Sequence, residues 1–409
     1  MKLDWKGAGT LGVVAGGLAL AAWIIGRGPS VEPATANSAL TQTAPAAVPV
    51  AELGNGQVAA DASASQPKSK FVHYRVGSRN VKSMYSDGNG VMWVGTSGGV
   101  VRYDVEHDDY RHYDVRNGLL ANGVFHVSRV GGRIAVGTYG GGLAMYDEAA
   151  DQWQIYNVPE GLGDAFVYDV LEAQNGDVWI ATWTGVNRVI GGKLDDPKAW
   201  EVYTVDNTRG GLPNDWVYGL AQGKNGEIWL ATEGGLARYT YADSSWSSWK
   251  HSDGLGAPYE QVRNQNSFMR DPADYSSHHA RQKKEQGLEN VKTAYNPNYI
   301  VALSVAPDGG VWVGTWGGGL SRFDGKQWQT YTVSDGLPSN HVFMLHHDAK
   351  GQLWVGTSHG LARMKANGFD VYTTENGLYS NTVFSMETPS EGGLWVGSFG
   401  GVARISALP

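Results

Sequence analysis

Leu353-Trp354-Val355-Gly356-Thr357 is followed by the turn Ser358-His359-Gly360 and then by Leu361-Ala362-Arg363-Met364. This is an apolar strand bearing a Trp, a glycine turn, and a second apolar strand bearing an Arg. The same order returns at Met92-Trp93-Val94-Gly95-Thr96, Val178-Trp179-Ile180-Ala181-Thr182 and Ile228-Trp229-Leu230-Ala231-Thr232. It returns again at Val311-Trp312-Val313-Gly314-Thr315 and Leu394-Trp395-Val396-Gly397-Ser398, and a seventh copy, Ile134-Ala135-Val136-Gly137-Thr138, has lost its Trp. Trp312 and Trp354 are 42 residues apart, Trp354 and Trp395 41. That spacing suits a four-stranded propeller blade of roughly 40–45 residues. One blade cannot bury both faces of its sheet, so the copies from Val81 to Ile405 belong to one domain, although 409 residues alone would suggest two or three.

Within the sixth copy, Val342-Phe343-Met344-Leu345 is expected to be the innermost strand, Leu353 to Thr357 the second, Leu361 to Met364 the third and Phe369 to Thr374 the outermost. Neighbouring blades cover both faces, which explains strands that are apolar throughout. The Trp is expected to fill the wedge between blades, and the Gly two places later to let backbone and ring approach closely. The last copy lacks an outer strand, while Phe71-Val72-His73-Tyr74-Arg75-Val76 resembles the outer strand Trp328-Gln329-Thr330-Tyr331-Thr332-Val333. The expected fold is therefore an all-β, seven-bladed β-propeller over residues 71–409, closed by an N-terminal velcro strand that leaves no open edge.

Composition narrows the function. The 57 Gly, 16 Trp and 20 Tyr serve turns and sheet packing, and the net charge of −8 without a basic stripe argues against nucleic acid as a partner. With no cysteine, disulfides, zinc-thiolate sites and cysteine nucleophiles are excluded. Residues 7–26 are nearly uncharged and apolar, with Lys2 and Lys6 before them and Arg27 after. Their length is that of a transmembrane helix. Residues 1–28 read as an uncleaved signal anchor in a bacterial inner membrane, single-pass, with the propeller in the periplasm. Residues 29–70, rich in Ala, Pro, Ser and Thr, read as a disordered linker.

The order Asp-Gly-Leu-Pro-Ser-Asn, then Leu-Trp-Val-Gly-Thr, then Gly-Leu-x-Arg, found from Asp335 to Arg363 and more weakly in every blade, resembles the two-component-regulator propeller repeat. The resemblance implies a periplasmic sensor region of the kind carried by hybrid histidine kinases, often in carbohydrate sensing. The sequence as it stands ends at Pro409 shortly after the last copy. The expectation carried over is thus a recognition scaffold, without signalling by this chain itself.

Two groups of residues are candidates for binding. Turn and strand-entry positions on one face of the disc collect Tyr139, Phe166, Trp183, Trp216, Glu233, Tyr299, Trp316, His341, His359 and Phe399. Exposed aromatics around a funnel mouth suit sugar stacking or a protein hot spot; the competing reading is packing against the next blade. The second group lies in a polar insertion at about 257–297, between blades four and five: Tyr275, His278, His279, Arg281, Lys283 and Lys284. It is expected to lie over the aromatic face as a docking arm or lid, with its adjacent histidines solvated and no metal bound.

Two recurrences are expected to be structural. Arg102, Arg188, Arg238, Arg322, Arg363 and Arg404 brace their blades through acidic turns or loop carbonyls. Asn122, Asp215, Asn298, Asn340 and Asn381 cap loop amides. No catalytic signature or cofactor motif occurs; a lyase using Glu233, His341 and His359 is the enzyme alternative. The expected function is non-enzymatic: an accessory or scaffold subunit recognising a membrane or envelope protein. The alternative is a periplasmic module sensing a carbohydrate or another small ligand.

Overall fold

The computed structural model describes residues 71–266, 271–390 and 392–406, so the apolar stretch at 7–26 and the linker lie outside the described residues. Within them no helix is long and apolar enough to cross a membrane. Strands dominate, in antiparallel four-stranded sheets such as Val217–Gln222, Ile228–Thr232, Gly235–Thr240 and Ser245–Trp249. The innermost strands pack side by side in a ring of seven, from β1 (Phe71–Ser86) through Val124–Val130, Val167–Glu172, Val217–Gln222, Asn296–Val305, Val342–His347 and Val383–Glu387 back to β1.

β1 closes the ring by serving two blades. Its residues 81–86 pair with Val91–Thr96 as the inner strand of blade one, while residues 71–75 pair with residues 401–405 of the last strand, Leu394–Ile405. The register runs from Phe71 opposite Ile405 to Arg75 opposite Gly401. Tyr74 stacks on Trp395 with ring centroids 5.2 Å apart and planes within 9°, and His73 Nε2 donates to the Gly377 carbonyl at 2.9 Å.

The repeated residues have distinct duties. The blade Trp fills the wedge as expected: Trp179 lies 5.1 Å from Tyr239 of the next blade and donates through Nε1 to Tyr241 Oη at 2.7 Å. The following Gly does something other than expected. A Cβ on Gly314 would stand 2.4 Å from Val342 Cγ1, and one on Gly95 2.7 Å from Val124 Cγ1. The glycine therefore admits the first valine of the next inner strand, and the Trp ring is not what it accommodates. Each Thr then turns the hairpin; Thr357 Oγ1 donates to the Gly360 carbonyl at 2.9 Å.

Part of the Arg row braces its blade through an acidic turn. Arg188 Nε meets Asp177 Oδ2 at 2.7 Å, and Arg322 Nη2 meets Asp308 Oδ2 at 2.7 Å. Arg238, Arg322, Arg363 and Arg404 also lie 5.4–5.8 Å above the Trp ring of their own blade, a cation–π contact the sequence reading did not foresee. The Asn/Asp row caps loops. Asn122, Asp215, Asn298, Asn340 and Asn381 each accept from a backbone N–H of the preceding turn, at Val115, Val205, His251, Val333 and Thr374 respectively.

Candidate functional site

The insertion, entered from the outer strand of blade four, contains α1 (Tyr259–Val262) and α2 (Ser277–Glu285). Ser276 caps α2 by accepting from His279 N, which fixes where the helix starts and puts both histidines in its first turn. The insertion is pinned to blades five and six by amide contacts. Asn266 Nδ2 donates to the Gly317 carbonyl at 2.6 Å, and Asn340 Nδ2 donates to Gln265 Oε1 at 2.9 Å. Lys283 forms a buried ion pair with Asp271 and donates to the Val291 carbonyl.

The first turn of α2 closes onto blade four. Glu233, wholly buried at a hairpin tip, accepts from His278 Nε2 at 2.9 Å and faces His279 Nε2 at 3.4 Å. Burial works to raise its carboxyl, but the facing imidazoles of His279 and His278 outweigh it and hold the group below its ordinary value of 4.5. For His279 burial is the larger effect and outweighs the pull of Glu233, so its charged form is disfavoured. Above this clamp the His278 ring lies flat on Trp216, Trp216 on Trp183 at 4.8 Å, and Trp183 on Phe166 at 4.1 Å. Four rings from three elements thus form one stack.

This geometry corrects three expectations. Much of the mouth is covered: Trp183 and Trp216 are 9% and 7% exposed, and Tyr299, Trp316 and His341 are buried. Phe399, at 44%, is the clearly exposed aromatic of the set; Tyr139 and Phe166 are partly buried, and His359 is exposed. The histidines of the insertion are buried and bonded instead of solvated. Lys283 is locked inside the insertion and is no docking residue, whereas Tyr275, Arg281 and Lys284 face outward. The enzyme candidates are separately engaged. His341 donates through Nε2 to the Ala294 carbonyl at 2.9 Å, with burial lowering its pKa to about 4. No group of three or more His, Asp or Glu suited to a metal ion occurs among the described residues.

Inward of this stack, rings line the channel. Phe125, Tyr168 and Tyr218 follow one another at 4.4 and 4.8 Å, and on the far side Phe343 lies 5.6 Å from Phe384. The gap between Phe384 and Phe125 is filled by Lys82, whose Nζ sits 3.8 Å above the Phe384 ring. Sequence reasoning missed Lys82. The available signal was its position, directly after the first valine of an inner strand, where five of the other blades carry Phe or Tyr.

Residues 76–98, 161–184, 211–234, 294–317 and 336–359 each match the two component regulator propeller family. The chain carries two-component regulator propeller repeats. No curated protein matches the sequence. Among solved structures, the chain is similar to the extracellular domain of a hybrid two component system from B. thetaiotaomicron, at 21% identity and a TM-score of 0.63. The likeness covers 82% of this repeat chain but only 41% of that domain. It is also similar to virginiamycin B lyase from Staphylococcus aureus (12% identity, TM-score 0.58, 82% and 99% of the two chains). A third likeness is to YCF48 bound to D1 peptide (11% identity, TM-score 0.53, 84% and 99%). At these identities the likeness is one of fold.

Proposed function

We propose that this repeat propeller is a non-enzymatic recognition subunit, anchored through residues 7–26 in the bacterial inner membrane with the propeller in the periplasm, and that it docks a membrane or envelope protein on its insertion-bearing face. The observation that carries this reading is the clamp of α2 on Glu233 and Trp216. It turns a polar insertion into a fixed platform with Tyr275, Arg281 and Lys284 directed outward. Interfaces favour Tyr and Arg held on rigid elements, because little side-chain freedom is then lost on binding. The extracellular sensor domains of similar fold support an exported location, and the peptide-bound propeller supports protein recognition. Glu233 and His341 serve structural contacts, which speaks against a lyase reaction at this mouth.

The test is cross-linking mass spectrometry on the full chain purified in mild detergent from its native membranes. A stoichiometric partner cross-linked at Lys284, and lost from the Arg281→Glu/Lys284→Glu variant, is the expected result. Equal recovery of the same partner by that variant would remove the platform from the interface.

The carbohydrate-sensing alternative is less favoured, because the rings that would stack on a sugar are covered. It requires the insertion to lift. Glycan binding by the native chain that survives Trp183→Ala and Trp216→Ala would place any sugar elsewhere.

A further inference from the structure

The cavity at the centre of the channel holds about 140 Å³ and is walled by Phe125, Tyr168, Tyr218, Val301, Phe343 and Phe384, with Trp316 at its edge. Six blades contribute an apolar or aromatic side chain to this belt, and blade one contributes Lys82. Among the described residues the Lys82 ammonium has neither a carboxylate nor a hydrogen-bond acceptor; its contact is the face of Phe384. The other titratable residues lining this space are Tyr168 and Tyr218, whose hydroxyls meet Trp183 Nε1 and the Glu233 carboxylate and which burial pushes well above their usual range and keeps neutral. The next carboxylate along these strands, Asp169, is already committed to His126 at 2.8 Å and to Leu220 N.

A lone cation in an apolar cavity is costly, and the cost falls when a counter-ion enters with it. Size and charge define that counter-ion. A cavity of about 150 Å³ lined by apolar side chains accommodates a benzene ring, so this one has room for a single ring. One ammonium matches one negative charge, and a second anionic group would be left unpaired among rings. A hydroxyl-rich sugar would find few partners on Phe and Val walls.

We propose that the channel centre at Lys82 is a binding site for a small aromatic monocarboxylate, its carboxylate on Nζ and its ring within the belt. The site is independent of partner docking and stands or falls without it. Lys82 is partly buried, and the loss of water around its ammonium lowers its pKa to about 7, so without ligand much of the amine is uncharged at neutral pH. A carboxylate restores the charge, and binding takes up a proton.

The test is calorimetric titration of benzoate into the detergent-solubilised full chain. Saturable binding about tenfold weaker at about pH 8 than at about pH 6, with a buffer-dependent enthalpy that reports proton uptake, is expected. Lys82→Met keeps the side-chain length and the belt; with melting unchanged, it should lose benzoate. Absence of saturable binding at the lower pH, equal affinity in Lys82→Met, or acetate binding as tightly as benzoate would each overturn the proposal. A neutral analogue, benzamide, binding with the same affinity and no pH dependence would overturn it as well.

Discussion

The His278 ring lies on Trp216 with centroids 3.7 Å apart and planes within 8°, joining an insertion helix to a blade 62 residues earlier in the chain. The same imidazole donates to buried Glu233, so a single side chain supplies both the flat contact and the polar one. His278→Ala therefore removes an aromatic pair worth roughly 0.5–1.5 kcal/mol and leaves a buried carboxylate oxygen short of a donor at about 1–3 kcal/mol. The expected outcome is faster hydrogen exchange across 271–294 with little change in the strands of blades one, two and seven. Unchanged exchange in the insertion would show that the amide contacts of Asn266 and Asn340 hold it alone.

Acid should release the same segment. The His279 pKa is lowered in the fold, so between that value and 6.5 the unfolded chain binds more protons than the native one. Its contribution is present above 6.5 and is lost as pH falls through the lowered value. Glu233 is also lowered, and its contribution is lost as pH falls below 4.5 through its own folded value. The Tyr218 hydroxyl, 3.5 Å from Glu233, stays neutral throughout. Exchange of 271–294 followed from neutral to acidic pH should accelerate in those two windows in order. Glu233→Gln should exchange faster at neutral pH and lose the lower window; a variant profile superimposable on the native one would contradict this assignment.

The blades were legible in the sequence because each is a local unit whose Trp, Gly, Thr and Arg recur at a fixed spacing, and β1 was legible as the missing outer strand because it repeats an outer-strand pattern. The caps at Asn122, Asp215, Asn340 and Asn381 were legible for the same reason. The clamp was not. Glu233 and His278 are 45 residues apart, and each occurs once, so no recurrence links them. Their burial depends on where a non-repeating insertion comes to rest, which is a tertiary fact. Glu233 did carry a hint, being an acid at a turn position where other blades carry Ser, Tyr, Trp or Phe. Lys82 carried the same kind of hint among the Phe and Tyr of the inner strands.

The role assigned to the repeat glycine is tested by Gly314→Ala. The added methyl would lie 2.4 Å from Val342 Cγ1 and 2.8 Å from its Cβ, so blades five and six must separate or Val342 must shift. A cost of about 1–3 kcal/mol is expected from overpacking of this kind, read as a lower urea midpoint. Val342→Ala in the same chain should recover part of the loss by making room for the methyl. Blades three and four carry Ala181 and Ala231 at this position, so if Gly314→Ala were neutral, the blade spacing rather than the side chain would be setting the contact.

Closure by β1 gives the last prediction. Residues 71–75 supply the outer edge of the last blade, and Tyr74 stacks on Trp395 there. The same continuous strand pairs with Val91–Thr96 through residues 81–86, so it ties the two ends of the repeat array together. A chain beginning at residue 77 keeps every inner strand but leaves the backbone of residues 401–405 unpaired. An exposed strand edge recruits another strand. The expected outcome is a lower melting temperature together with concentration-dependent association in sedimentation experiments. A synthetic peptide of residues 71–76 added in excess should reverse this association by pairing with the open edge. A truncated chain that sediments and melts like the native protein would mean that blade seven is stable as three strands, and that closure contributes little to holding the ring.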